Sequence, residues 1–257
     1  MSRPPTYRDS AVIIRKLDHG EYDRIFTLLT RDHGRLGALA KGVRKPQSRL
    51  ASALELFNRI DVQLARGRGS LDVLTQAVLL PGTRLPADLE RTAYAALVAE
   101  LADRVGEERH PVEGLYELTA AALEQLACDP EARRASVWYV ARALDLLGYG
   151  PQLSACAGCG RPLPEAPAAF SPEAGGCLCP DCTQPGMSLV PVAALKVLRV
   201  AAAGDARLYS RLRLEAALLA EMEMVLEAQL EHHLDRQLRS LRFLRRLRAE
   251  PAPAATG

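Results

Sequence analysis

Four of the six cysteines fall in two short knuckles, Cys156-Ala157-Gly158-Cys159 and Cys179-Pro180-Asp181-Cys182, with nineteen residues between them. Two tight turns that each aim two thiolates at one point are what a tetrahedral Zn²⁺ requires, and the ion would close the intervening loop. Gly158, Gly160, Gly175 and Gly176 supply the backbone freedom such turns need. A redox C-x-x-C pair would follow a strand and open a helix, whereas both knuckles lie in Pro/Gly-rich sequence. Four thiolates leave no open coordination position. One structural rather than catalytic zinc is therefore expected on Cys156, Cys159, Cys179 and Cys182. Cys177 is a fifth thiol within reach, and Cys179 is taken in its place because it forms the knuckle with Cys182. Cys128 closes a helix alone and reads as a small hydrophobe.

The second group with chemical potential is cationic. Residues 1–80 carry fourteen Lys/Arg against eight Asp/Glu, residues 81–200 ten against fifteen, and residues 201–257 nine against eight. A net charge of +2 for the chain thus hides a basic first third that attracts phosphate backbones and an acidic middle that repels them. Arg35, Lys41, Arg44, Lys45 and Arg49 lie within fifteen residues, and Arg66 and Arg68 flank the glycines of a later loop. With Arg24 they form the candidate nucleic-acid-binding set. The aromatics before residue 81 are Tyr7, Tyr22, Phe26 and Phe57. So few rings imply contact mainly with phosphate, and little sequence preference. Arg133 and Arg134, in the acidic half, are expected to contribute much less.

No catalytic set emerges. His19 and His33 fall in turns, His110 precedes a proline, and His232-His233 are adjacent on a helix, where side chains point about 100° apart and cannot share a metal. No H-E-x-x-H, G-x-x-x-x-G-K-[ST] or G-x-S-x-G is present. Glu21, Asp23 and Asp32 could build a Mg²⁺ site but more simply offset Arg24 and Arg31. A non-enzyme is expected.

The elements that must position these groups change in texture near residue 80. Before it, Ser10–Leu17, Arg24–Thr30, Gly34–Ala40, Leu54–Ala65 and Ser70–Leu80 are strand-length runs, with hairpin loops expected at Asp32-His33-Gly34 and at 66–69. Five strands in about 80 residues suit a small closed or partly closed barrel. From Pro86 the apolar period is helical: a first helix through Leu89, Ala93, Leu97 and Leu101, a second opened by Pro111, and a third over about 131–147. After the Cys-containing insert, helix returns from Pro191 to Ala203. An apolar stripe then runs from Ser210 to Arg248, too long for one helix in a domain of this size, so a break is expected near His232-His233. Arg239, Arg242, Arg245, Arg246 and Arg248 recur along its last part and could edge a groove for the carboxylate of a partner tail. Residues 251–257 should be disordered.

Composition is that of a globular protein, with 48% hydrophobic and 25% charged residues. No uncharged apolar run is long enough for a membrane span, and Met1-Ser2-Arg3-Pro4-Pro5 lacks the apolar core of a secretion signal. A cytoplasmic location is expected, where cysteines are thiols or metal ligands.

The sequence resembles the RecO recombination mediator family. The residues that carry the likeness are Gly20-Glu21-Tyr22-Asp23-Arg24, Leu28-Leu29-Thr30-Arg31-Asp32-His33-Gly34, and the run from Ala40 through Lys41, Gly42, Arg44, Lys45, Pro46 and Ser48 to Leu50. The insert adds Cys156-Ala157-Gly158-Cys159-Gly160 and Phe170 through Cys179, and Leu238-Arg239-Ser240-Leu241-Arg242-Phe243-Leu244 is similar to the family's last helix. The resemblance implies an α+β multidomain protein: an N-terminal OB-fold β-barrel (1–81), then an all-α helical domain (82–250) carrying the four-cysteine zinc insert (151–190). It also implies binding of single- and double-stranded DNA and annealing of complementary strands. As partners it implies the RecR protein, the C-terminal tail of single-strand-binding protein and, indirectly, RecA, with association with the nucleoid. Two other readings of the residues stand beside it. One is a zinc-containing OB-fold RNA-binding protein of translation; the other is a protein scaffold with incidental DNA affinity.

Overall fold

The computed structural model describes residues 5–249 except 68, 83, 205, 235 and 236, with the backbone alone at 207. The expected disordered tail, 251–257, lies outside the described residues. The chain divides into two compact units. One runs to Pro130 and resumes at Phe243; the other is Glu131–Arg242.

The first unit is built on five strands, β1 (Thr6–His19), β2 (Asp23–Thr30), β3 (Gly34–Ala40), β4 (Arg59–Ala65) and β5 (Leu71–Leu79), closed in the order β1-β2-β3-β5-β4. Closure depends on β1, whose fourteen residues serve two neighbours. Its first half pairs with β4 (Thr6 opposite Ala65, Val12 opposite Arg59), and its second half pairs with β2 out to His19 opposite Asp23. The register shifts between Ile13 and Arg15, the kind of irregularity that bends a strand around a barrel. A parallel β3–β5 pairing, Gly37 opposite Leu71, completes the ring. Strict alternation on β3 sends Leu36, Ala38 and Ala40 inward, where they meet Ile13, Phe26, Leu28, Ile60, Val62, Leu64 and Leu74.

Two strand expectations need correction. β1 is longer than Ser10–Leu17 at both ends, and β4 begins at Arg59, not Leu54. Phe57 sits at φ 70, a left-handed conformation that breaks extended chain, and its N–H donates to the Ile13 carbonyl at 2.9 Å. The Asn58 side chain donates to the Ala53 carbonyl, so residues 53–58 form a plug with Leu54 buried in the barrel core.

Two helices follow within this unit. α1 (Leu89–Val105) starts at Asp88, whose carboxylate accepts from the Arg91 N–H at 2.7 Å. The Arg91 guanidinium then donates to the Leu126 and Asp129 carbonyls at the end of α2 (Leu115–Cys128). Pro111 does not open α2: the helix waits for Gly114, at φ 76, because residues 106–110 first run along the barrel. There Arg35 and the segment exchange backbone hydrogen bonds, Arg35 N–H to Glu107 and Arg109 N–H to Arg35, both 2.9 Å. Gly34 makes this approach possible. At φ +66 it also lies so close to His110 that a Cβ would fall 2.1 Å from the His110 carbonyl oxygen.

The second unit contains α3 (Ala132–Leu146), the insert, α4 (Val192–Ala202), α5 (Ala206–Arg211) and α6 (Ala216–His233); α7 (Arg239–Ala249) begins there. The expected break near His232-His233 is present: α6 ends at His233, and Leu234 is extended. The stripe from Ser210 is also split earlier, since α5 stops at Arg211 and Glu215 is extended before α6. Buried Leu219, Met222, Val225, Leu226 and Leu230 line the inner face of α6.

Candidate metal centre and candidate nucleic-acid interface

In the insert a small sheet, ordered β7 (Gly176–Leu178), β6 (Ala168–Ser171), β8 (Leu189–Val190), carries the second knuckle at the exit of β7. The first knuckle is closed by Cys156 N–H to the Arg161 carbonyl and Gly160 N–H to the Cys156 carbonyl, both 2.8 Å, and is tied to the sheet by Ala157 N–H to Cys177. Cys182 N–H to the Cys179 carbonyl at 3.0 Å turns the second. The result brings the sulfurs of Cys156, Cys159, Cys179 and Cys182 all within 4.8 Å of one another, and Cys159 and Cys179 are 3.7 Å apart. A tetrahedron with metal–sulfur bonds near 2.3 Å has edges of about 3.8 Å, so the four thiols fit one ion.

Local donors favour the thiolates such an ion needs. The Cys179 N–H points at Cys156 Sγ (3.2 Å) and leads the effects that pull the Cys156 thiol down to about 6. Arg161 lies over the exposed sulfur of Cys159 (3.4 Å) and lowers that thiol, while Asp181 anchors the guanidinium at 2.6 Å. Cys182 hydrogen-bonds to Cys179, Cys159 and Cys156 and is pushed up to about 12, as expected where several thiols crowd one point and one must keep its proton. A divalent cation would reverse that last effect. Cys177 is not in the cluster; it is buried, and burial pushes its thiol up to about 11. Cys128 ends α2 but is exposed rather than packed as a small hydrophobe.

The candidate cations divide between two regions of the barrel. Around the β1–β2 turn, Asp18 holds both Arg24 (2.6 Å) and Arg44 (3.5 Å), the former first among the effects that keep its carboxyl below the usual range. The loop after β3 is clamped to that turn by Arg44 N–H to the Tyr22 carbonyl (2.9 Å) and Gly42 N–H to Asp23 (2.7 Å), and Lys45 Nζ lies 5.4 Å from the Tyr22 ring centre. Lys41, Arg44, Lys45 and Arg49 are exposed. Arg35 belongs elsewhere: it opens β3, a strand length of about 20 Å from Lys41, and pairs with Asp103 of α1 at 2.9 Å. Arg66 lies 5.6 Å from the Tyr7 ring, near the start of β1. Arg68 lies outside the described residues. On α7, Arg239, Arg242, Arg245 and Arg246 are exposed, whereas Arg248 donates to the Tyr94 hydroxyl at 3.2 Å.

Residues 1–82 match the family model "Recombination protein O N terminal", and residues 86–242 match "Recombination protein O C terminal". The chain belongs to the RecO family. It is 40% identical over 260 residues to the DNA repair protein RecO of Roseiflexus sp. (strain RS-1), covering 99% of this chain and 92% of that one. It is 34% identical over 246 residues to the DNA repair protein RecO of Dehalococcoides mccartyi (strain ATCC BAA-2266 / KCTC 15142 / 195), covering 95% and 97%. Among the described residues no helix is long and apolar enough to cross a membrane.

One polar cluster in this RecO-family chain has no local signature among its residues. Asp72, 1% exposed, accepts from both terminal nitrogens of Arg109 (3.2 Å each), from the Tyr7 hydroxyl and from the Gly67 N–H. The Tyr7 ring tilts against His33, whose Nδ1 is 2.7 Å from buried Asp9. These residues are spread from position 7 to 109, so no local spacing announces them. Arg133, expected to contribute little to nucleic-acid binding, is a packing residue. It pairs with Glu223 of α6 at 3.2 Å, both largely buried, while Arg134 donates to the Leu212 carbonyl.

Proposed function

We propose that this protein is a non-catalytic DNA-binding mediator of recombinational repair. It would bind single- and double-stranded DNA, anneal complementary strands and help load recombinase onto strands coated with single-strand-binding protein. Membership of the RecO family, matched along nearly the whole chain, is the observation that carries the reading. The clamped cationic end of the barrel supplies its physical means. Annealing needs no bond chemistry, only cations that let two phosphate backbones approach.

In this reading residues 1–81 are the nucleic-acid domain and residues 82–250 the helical domain, with 151–190 a zinc-bound insert. Arg24, Lys41, Arg44, Lys45 and Arg49 form the principal phosphate contacts; Arg35, Arg66 and Arg68 contribute from the other region. One Zn²⁺ on Cys156, Cys159, Cys179 and Cys182 would hold the insert together, without an open position for reaction. Family membership also underlies the proposed partners, namely RecR, the tail of single-strand-binding protein and, indirectly, RecA, and the proposed location on the cytoplasmic nucleoid. The test is an annealing assay on the full chain with Lys41→Glu and Arg44→Glu together. Slower annealing and weaker single-strand binding are expected. Unchanged rates would remove the barrel end from the function.

A further inference from the structure

Of the four rings before residue 81, three are committed. Phe26 and Phe57 are buried in the barrel, and Tyr7 is engaged by Asp72, His33 and Arg66. Tyr22 remains 41% exposed. It stands at the tip of the β1–β2 hairpin, its backbone carbonyl held by Arg44 N–H and its hydroxyl by the neighbouring Glu21. The hairpin tip is thus tied to the cationic loop, and the ring it carries is not buried.

The local charge balance gives that ring a purpose. The turn and loop together hold Arg24, Lys41, Arg44, Lys45 and Arg49 against Asp18, Glu21, Asp23 and Glu55, so five cations are offset by four carboxylates. Such a patch neutralises few phosphates. A purely ionic surface would moreover favour duplex, which carries one charge per about 1.7 Å of axis. A π face, by contrast, is useful only to a base that has left its stack.

We propose that Tyr22 is a stacking platform for an unpaired base, and that it biases this end of the barrel toward single-stranded nucleic acid. The proposal rests on the nucleic-acid reading of the barrel end. Lys45 Nζ lies over one face of the ring, 5.4 Å from its centre, so the base takes the opposite face and the cation meets the phosphate of the stacked nucleotide. Leu17, on the same hairpin and likewise exposed, is not needed for this arrangement.

The experiment compares affinities of the full chain for an oligothymidylate of about twenty nucleotides and for its duplex with oligodeoxyadenylate. Tyr22→Ala should weaken single-strand binding about tenfold, within the range of one base–aromatic stack, and leave duplex binding within about twofold. Tyr22→Phe should restore the wild-type ratio. Tyr22→Trp adds a fluorophore while Trp138, the chain's single tryptophan, is buried in the other unit. Its emission should be quenched by the single strand and not by the duplex. Equal loss for both forms, no loss for the single strand, or quenching by both would overturn the stacking role. The double reversal at Lys41 and Arg44 separates the two readings. If it weakens both forms while Tyr22→Ala weakens neither, stacking fails and the nucleic-acid surface stands; if it weakens neither, the surface itself is refuted.

Discussion

Arg109 and Asp72 form a two-pronged ion pair, with both terminal guanidinium nitrogens 3.2 Å from the two carboxylate oxygens. Through it the segment between α1 and α2 is fastened to β5, deep enough that Asp72 has almost no contact with solvent. Removing the cation alone leaves a buried charge, which costs far more than the pair itself contributes. Arg109→Ala should therefore destabilise the protein by about 3 kcal/mol, whereas Arg109→Ala with Asp72→Asn should recover part of that loss. Chemical denaturation of the three proteins measures it.

The same pair makes a prediction about pH. Burial alone would raise the Asp72 carboxyl, but hydrogen bonds from Arg109, Tyr7 and Gly67 outweigh it and hold the group below its ordinary value. A depressed carboxyl contributes stability that is complete above its unfolded value, near 4, and is lost as pH falls through its folded value. Melting temperature should drop on acidification below about pH 4, and Asp72→Asn should flatten that drop. An unchanged acid profile in the variant would remove Asp72 as its source.

Gly34 offers a steric test. Gly34→Ala adds a Cβ at a positive φ and within 2.1 Å of the His110 carbonyl oxygen, so backbone must move. A loss of roughly 2–4 kcal/mol is expected. Gly20→Ala, at φ +60 with open space around it, should cost less. Parallel thermal melts give the difference.

For the insert, purified protein should contain about one zinc per chain. Cys156→Ser or Cys182→Ser should abolish it and expose the insert to proteolysis, because metal binding and local folding are one equilibrium. Single-strand affinity should survive in both variants. Full metal content in either variant would end the four-thiolate assignment.

Salt dependence tests the cations directly. The double reversal at Lys41 and Arg44 should flatten the slope of log affinity against log salt by about one to two units on single strands. Arg44 already shares Asp18, so Lys41 should account for the larger part. The control is Lys196→Glu, an exposed cation beside Glu165 in the second unit. Arg133 cannot serve, since its reversal would press a carboxylate against buried Glu223 and unfold the region.

What was legible in the sequence was what short range determines. The knuckles declare themselves by spacing alone, and β2 and β3 match their expected limits to within one residue because alternation and flanking turns agree. β1 was underestimated because its end residues are largely exposed, and exposed strand has no apolar period to read. The reversal at Phe57 was invisible because a large aromatic residue rarely takes positive φ. The late start of α2 reflects pairing of residues 107–109 with Arg35, some seventy positions earlier. Charge marks the cationic loop but cannot tell an outward cation such as Lys41 from one consumed by packing, such as Arg133.

The return of the chain to its first unit at Phe243 has a consequence for how the protein is made. α7 contributes Arg248 to the Tyr94 hydroxyl of α1, so that unit is finished only once residue 248 has emerged. During synthesis the barrel, α1 and α2 must wait through more than a hundred residues with this contact unmade, although domains otherwise tend to mature in order of appearance. A stop codon just before Phe243 would then damage the unit that contains the barrel. Fragments cut at residue 82 would divide one packing unit rather than separate two.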